Sequence, residues 1–186
     1  SEIEEVARRA EKLTKENEEL IRRSLRDIER LVKEMEDIVR KSLKEIKELV
    51  ERLKDISRKT SRKEDLRRII EDIKRKIEES HKRLAELLRD IVRKIRESHE
   101  RVNKHSKEVM ERLDRLLEEV EKAKKGEDEK LRRLAKRIEE LKKRNEDLNR
   151  EHRKRLEEAE KRLKDVLDEH RRRLEEVKKE LDEEAK

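Results

Sequence analysis

Apolar residues return along this chain at helical intervals from one end to the other. Ala7, Thr14, Ile21, Ile28, Met35, Ser42, Leu49 and Ile56 keep a seven-residue register, flanked by Leu25, Val32, Val39, Ile46 and Leu53. A seam that repeats in sevens is the pattern of coiled-coil packing. After a pause at Lys59-Thr60-Ser61-Arg62, a second wide stripe runs through Ile70, Ile73, Ile77, Leu84, Leu88, Ile91, Val92, Ile95, Val109, Leu113, Leu116 and Val120. A thinner third one, from Ile138 to Leu174, follows the only glycine and relies on Leu141, Leu148, Leu156, Ala159, Leu163, Val166 and Leu167. Spacing of this kind predicts three long amphipathic helices and an all-α fold.

The two interruptions carry helix punctuation. Ser61 with Glu64 forms a capping box for a new helix, Gly126 supplies the left-handed residue that closes one, and Asp128 can cap the next. The expected helices are about 2–58, 62–124 and 128–185, with loops at about 59–61 and 125–127, in a single three-helix domain over 1–186. Connections this short force neighbours antiparallel, up-down-up. Hydrophobic residues number 20, 20 and 15 across 1–57, 58–128 and 129–186. The first two helices thus carry more apolar surface than one neighbour requires. That imbalance predicts assembly into a larger homo-oligomeric bundle, with a trimer favoured over a dimer.

Composition supports long helices over disorder. The chain is 60% charged and 30% hydrophobic, with no aromatic residue, proline or cysteine. High charge alone would suggest an unfolded chain, but here the apolar third is periodic throughout. The net charge is +7, and the two signs interleave. Glu11 with Lys15, Glu36 with Arg40, Glu118 with Lys122 and Glu140 with Arg144 each set an acid one turn before a base. Arg171-Arg172-Arg173 reads as a solvated helix face. With no ring to stack on a base, nucleic acid is not an expected partner. Nor is a membrane at neutral pH, since no apolar run is long enough for a span or a signal peptide. No targeting signal is visible, and a soluble chain is expected.

Against this background, polar residues on the apolar side stand out by their register. His81 and His99 lie 18 residues apart, as do His152 and His170, and as do Ser24 and Ser42. Local sequence repeats with them, as Glu79-Ser80-His81 and Glu97-Ser98-His99. Eighteen residues make five turns at 3.6 residues per turn, so each pair shares a helix face. Antiparallel alignment brings Ser24 level with His99 and His152, and Ser42 level with His81 and His170. Two layers are expected, one of Ser24, Ser98, His99 and His152 and one of Ser42, Ser80, His81 and His170. They should lie about 27 Å apart along the axis. Thr14, Asn17, Asn103, His105, Ser106, Asn145 and Asn149 form a third cluster near the first layer.

The chemistry of such a layer follows from its donors and acceptors. A neutral imidazole offers one of each, and a serine hydroxyl or asparagine amide can answer either, so a closed network can form. Protonation turns the acceptor nitrogen into a second donor and places a charge in apolar surroundings. Stability should then fall as pH drops below about 6.5. The candidate pH-sensing residues are His81, His99, His105, His152 and His170. Their network partners are Ser24, Ser42, Ser80, Ser98, Asn17, Asn103, Ser106, Asn145 and Asn149. The same networks could instead only specify helix register, because polar core groups penalise mispairing.

Metal binding is the rival reading of the histidines. No histidine pair sits at i, i+3 or i, i+4, and no core carboxylate or cysteine completes a ligand set, so no metal or other cofactor is expected. No catalytic triad or phosphate loop appears either, and neither an enzyme nor a small-molecule substrate is expected.

The charge-saturated helices, minimal capped loops and repeated layers of Ser24, Ser42, His81, His99, His152 and His170 resemble computationally designed helical bundles with buried hydrogen-bond networks. In particular they resemble designed pH-responsive oligomers. The resemblance spans the whole chain as a style of sequence, although three helices per chain depart from the two-helix hairpins of that group. It implies a structural protein whose histidine networks make assembly or stability pH-dependent, lost below about pH 6. A constitutive scaffold, or one component of a hetero-oligomer, is the alternative it leaves open.

Overall fold

A computed structural model describes residues 2–59, 62–123 and 128–186. The chain is an all-α bundle of three helices, α1 (Glu2–Lys59), α2 (Lys63–Ala123) and α3 (Glu129–Glu184). Glu2, Glu4 and Glu5 open α1 and Arg58 and Lys59 end it, so each charge opposes the helix dipole at its end. Ahead of α3, the Asp128 carboxylate accepts the Lys130 amide at 3.1 Å, which meets one of the orphan donors of the first turn. The capping roles expected of Ser61 and Gly126 fall outside the described residues.

Contacts divide into two compact units, each built from a segment of all three helices. The first comprises Ser1–Glu29 with Lys94–Glu158, the second Arg30–Arg93 with Ala159–Lys186. In the first, Ser24 meets Ser98 and Asn17 meets His105, so a step forward along α1 is a step back along α2. Glu11 meets Arg137 and Glu18 meets Arg144, both at a separation of 126, so α1 and α3 run the same way. Its apolar core gathers Ala10, Val109, Leu113, Leu116, Leu131, Leu134, Ile138 and Leu141. The second unit keeps the same α1–α3 offset in Glu36 with Arg162 and Lys54 with Glu180. Its core gathers Ile46, Val50, Leu53, Leu66, Ile70, Ile73, Ile77, Leu174 and Leu181.

Burial does not follow the seven-residue register of α1. Ile21, Ile28 and Met35 are buried, but Ala7 and Leu49 are only half-buried, and Ile56 is 40% exposed. A seven-residue step falls about 20° short of two turns of a 3.6-residue helix, so three steps from Met35 carry the side chain about 60° off the core direction. The register crosses the core and leaves it. What stays inside repeats every 18 residues: Ala10, Ile28 and Ile46; Thr14, Val32 and Val50; Asn17, Met35 and Leu53. On α2 the same period links Leu66, Leu84, Val102 and Val120, and on α3 it links Ile138, Leu156 and Leu174.

Two substitutions separate these periods. Leu53→Ala, at a fully enclosed position, should cost about 2–5 kcal/mol of unfolding free energy, as deletions of buried leucine do. Ile56→Ala, on the seven-residue register, should cost less than about 1 kcal/mol. Guanidinium unfolding of both variants measures the difference, and equal losses would contradict the 18-residue core.

Candidate functional site

The polar residues of the core occupy the same 18-residue lattice as the leucines. Asn17 stands where Met35 and Leu53 stand one and two periods later, and Asn145 where Leu163 and Leu181 do. His152 and His170 continue the position that Leu134 begins. Each is therefore aimed at the core by the helix that carries it.

In the second unit, the Ser42 hydroxyl lies 2.7 Å from that of Ser80 and 3.1 Å from His170 Nε2. The other nitrogen of His170, Nδ1, lies 3.3 Å from Nδ1 of His81, and the two rings are near parallel with centroids 5.5 Å apart. His81 Nε2 in turn accepts from the Arg171 guanidinium Nε at 3.4 Å. His170 has no exposed surface, whereas His81, Ser42 and Ser80 are half-buried.

The first unit repeats the motif with one difference. Ser24 bonds to Ser98 and lies 2.8 Å from His152 Nε2, at the same sequence separation of 128 that joins Ser42 to His170. His99 lies parallel to His152, but with centroids 6.4 Å apart. His152 Nδ1 is enclosed and has no hydrogen-bond partner among the described residues. The histidine in this layer is therefore half satisfied, where its counterpart is fully paired.

A separate network surrounds Asn17, which is fully buried. Its amide nitrogen donates to the Asn145 carbonyl oxygen, and its own oxygen accepts from His105 Nδ1 at 3.0 Å and Ser106 Oγ at 3.1 Å. Asn145 donates onward to the Ser106 backbone carbonyl at 3.4 Å, and Asn149 Oδ1 lies 3.3 Å from Ser106 Oγ. Because an amide oxygen only accepts, His105 must carry its proton on Nδ1 here. Thr14 turns back on its own helix to donate to the Ala10 carbonyl at 3.1 Å. Asn103 is half-buried and stands outside these hydrogen bonds.

Electrostatics hold the enclosed rings neutral. Burial, reinforced by His99, pushes the pKa of His152 from 6.5 down to about 4. Burial and then His81 do the same to His170, also to about 4. His81 is lowered too, first by burial and then by the positive charges of Arg171 and Lys178. An imidazolium at His81 or His170 would set two N–H groups against one another or against the Arg171 cation, and one at His152 would be a charge enclosed without water. Among the described residues no group of three or more histidines and carboxylates is placed to hold a metal ion. None of the described helices is long and apolar enough to cross a membrane.

No known protein family and no curated protein matches this sequence. A solved structure does: a "Computationally designed three helix bundle", with a TM-score of 0.61 and 25% identity, covering 99% of this chain and 87% of that one. This is the fold of a designed three-helix bundle. With serine–histidine and asparagine networks now visible inside it, the likeness to designed bundles rests on both fold and core chemistry.

One participant escaped the sequence reading. Arg171, taken there as part of a solvated basic run, donates to His81, while Arg172 and Arg173 of the same run bind Glu169. Position 171 follows His170 directly, but adjacency on a helix does not tell which of three arginines bends across to the neighbouring helix.

A double-mutant cycle tests the serine–histidine layer. Ser24→Ala leaves His152 Nε2 enclosed without a partner and should cost about 1–3 kcal/mol at pH 7.5. Combined with His152→Leu, which removes the polar ring, the loss should largely disappear. Additive losses in urea unfolding would show that the two side chains do not act together.

Proposed function

We propose that the chain is a structural bundle whose stability, and any assembly built on it, is switched by pH through its buried histidines. The observation that carries this reading is the complete enclosure of His152 and His170, each bonded to a serine of α1 and each held near pKa 4. The linkage has a definite sign. The unfolded chain takes up protons at these rings as pH falls below 6.5, and the folded chain does not until about 4, so stability is full above 6.5 and declines between the two. At about 1.4 kcal/mol per pH unit of depression, each ring contributes about 3 kcal/mol of acid sensitivity. Two rings together remove a large part of a folding margin of roughly 5–15 kcal/mol.

Self-association is part of the same reading. Ile38 and Ile56 of α1 stay 42% and 40% exposed, and an apolar contact with further copies of the chain, a trimer in our reading, would cover such residues. The networks lie within one chain, so the acid response does not require the association. A structural role without catalysis accords with the likeness to a designed bundle. A constitutive scaffold, in which the networks only set register, is distinguished from the switch by its flat response to acid.

The midpoint of guanidinium unfolding should be constant above pH 6.5 and fall steadily down to pH 4.5. Replacing His81, His99, His152 and His170 by asparagine should flatten that window. Glu169 does not confuse it, because Arg173 and Arg172 hold its pKa below the ordinary 4.5 and its contribution is lost only below this window. A native midpoint that does not change between pH 7.5 and 4.5 would refute the switch. Light scattering at neutral pH reads the association separately, and a mass of 22.9 kDa would remove the oligomer from the proposal.

A further inference from the structure

The hydrogen bonds around His81 and His170 form a chain with a fixed donor at one end. A guanidinium has no lone pair to offer, so at the 3.4 Å contact Arg171 Nε donates and His81 Nε2 accepts. A neutral His81 that accepts at Nε2 carries its proton on Nδ1. That proton points at His170 Nδ1, 3.3 Å away, which must then be the acceptor. His170 therefore carries its own proton on Nε2 and donates it to Ser42 Oγ at 3.1 Å. From Arg171 to Ser42 every donor is determined.

We propose that Arg171 is a positioning residue that sets the direction of this chain, holding His81 in its Nδ1–H form and His170 in its Nε2–H form. Among the described residues no such end group fixes the first unit: His152 bonds to Ser24 through Nε2 and its Nδ1 has no partner, so no contact there dictates the tautomer. Three nearby cations are already engaged. Lys178 lies 3.4 Å from Glu78, Arg172 and Arg173 are held by Glu169, and from α1 the Ser42 hydroxyl bonds to His170. Among the described residues, Arg171 makes the hydrogen bond to the outer ring nitrogen.

A directed chain has a regulatory consequence, which rests on the pH-switch reading. A proton added at His81 Nε2 meets the Arg171 N–H, and one added at His170 Nδ1 meets the His81 N–H, so a proton at either ring breaks a link. Protonation of His81 thus releases Arg171, and protonation of His170 releases His81.

The tautomers are read directly from long-range proton–nitrogen correlations of the imidazoles at pH 7.5, in uniformly 15N-labelled full-length protein. In the wild type, His81 should show the Nδ1–H pattern and His170 the Nε2–H pattern. Arg171→Met, an exposed change whose folding is checked by helicity, should convert His81 mainly to Nε2–H, the form that free imidazole side chains prefer. An Nε2–H pattern for His81 in the wild type, or an Nδ1–H pattern that survives Arg171→Met, would overturn the assignment. Because these spectra are taken at neutral pH, they stand or fall independently of the acid response. A flat stability profile with the expected tautomers would remove only the switch.

Discussion

The core of each helix repeats every five turns, and the other features of this bundle depend on that period. At 3.6 residues per turn a side chain 18 positions along returns to the same direction, so a core built on this interval does not drift relative to its neighbours. Within each unit the consequence is a constant register. The separation of 128 that joins Asn17 to Asn145 and Ser24 to His152 also joins Ser42 to His170. At a separation of 126, the charged pairs Glu11–Arg137 and Glu18–Arg144 flank the same contact. Apolar packing, polar networks and surface ion pairs therefore express one spacing. A substitution is placed inside or outside by that spacing and not by hydrophobicity, which is why Asn17 is enclosed and Ile56 is exposed.

Enclosure then decides the chemistry. A ring with no exposed surface has lost its water, and only hydrogen bonds from the protein can replace it. Neutral imidazole can both donate to and accept from serine and a second imidazole; imidazolium can only donate. The pKa of His152 and His170 is depressed first by burial and then by the neighbouring ring, His99 for the one and His81 for the other. A leucine in either place would hold the helices together at any pH, as Leu134 does one period earlier. The ion pairs on the outside contribute less. Most are between half-exposed groups, for which about 0–1 kcal/mol is usual.

The fold and the layers were legible because both are periodic. Three stripes separated by two breaks fix the number of helices, and residues that recur at 18 on a helix must share a face whatever their polarity. Details that depend on where a flexible or bifunctional side chain turns were not legible. Thr14 sits on the core face, yet its hydroxyl is satisfied by the Ala10 carbonyl one turn back, an option every threonine in a helix has. Arg171 reaches across to α2 while its two neighbours stay on their own helix. The seven-residue register of α1 misled for a different reason. Over a few turns seven and eighteen are nearly indistinguishable, and only the accumulated drift at Leu49 and Ile56 separates them.

The two serine–histidine layers share a sequence motif but not a state. In one, both nitrogens of the buried ring are engaged and the outer ring is capped by a cation; in the other, the buried ring is bonded on one side only. An unmatched nitrogen inside a core raises the energy of the folded state, and it is also a vacant acceptor if the ring carries its proton on Nε2. Accepting a proton there adds a charge but breaks no existing hydrogen bond, whereas at His170 it must break the bond from His81. Desolvation opposes both protonations. Only in the second unit does loss of a specific contact add to it, so the layer around Ser42 is the more sharply coupled of the two to the packing of its helices.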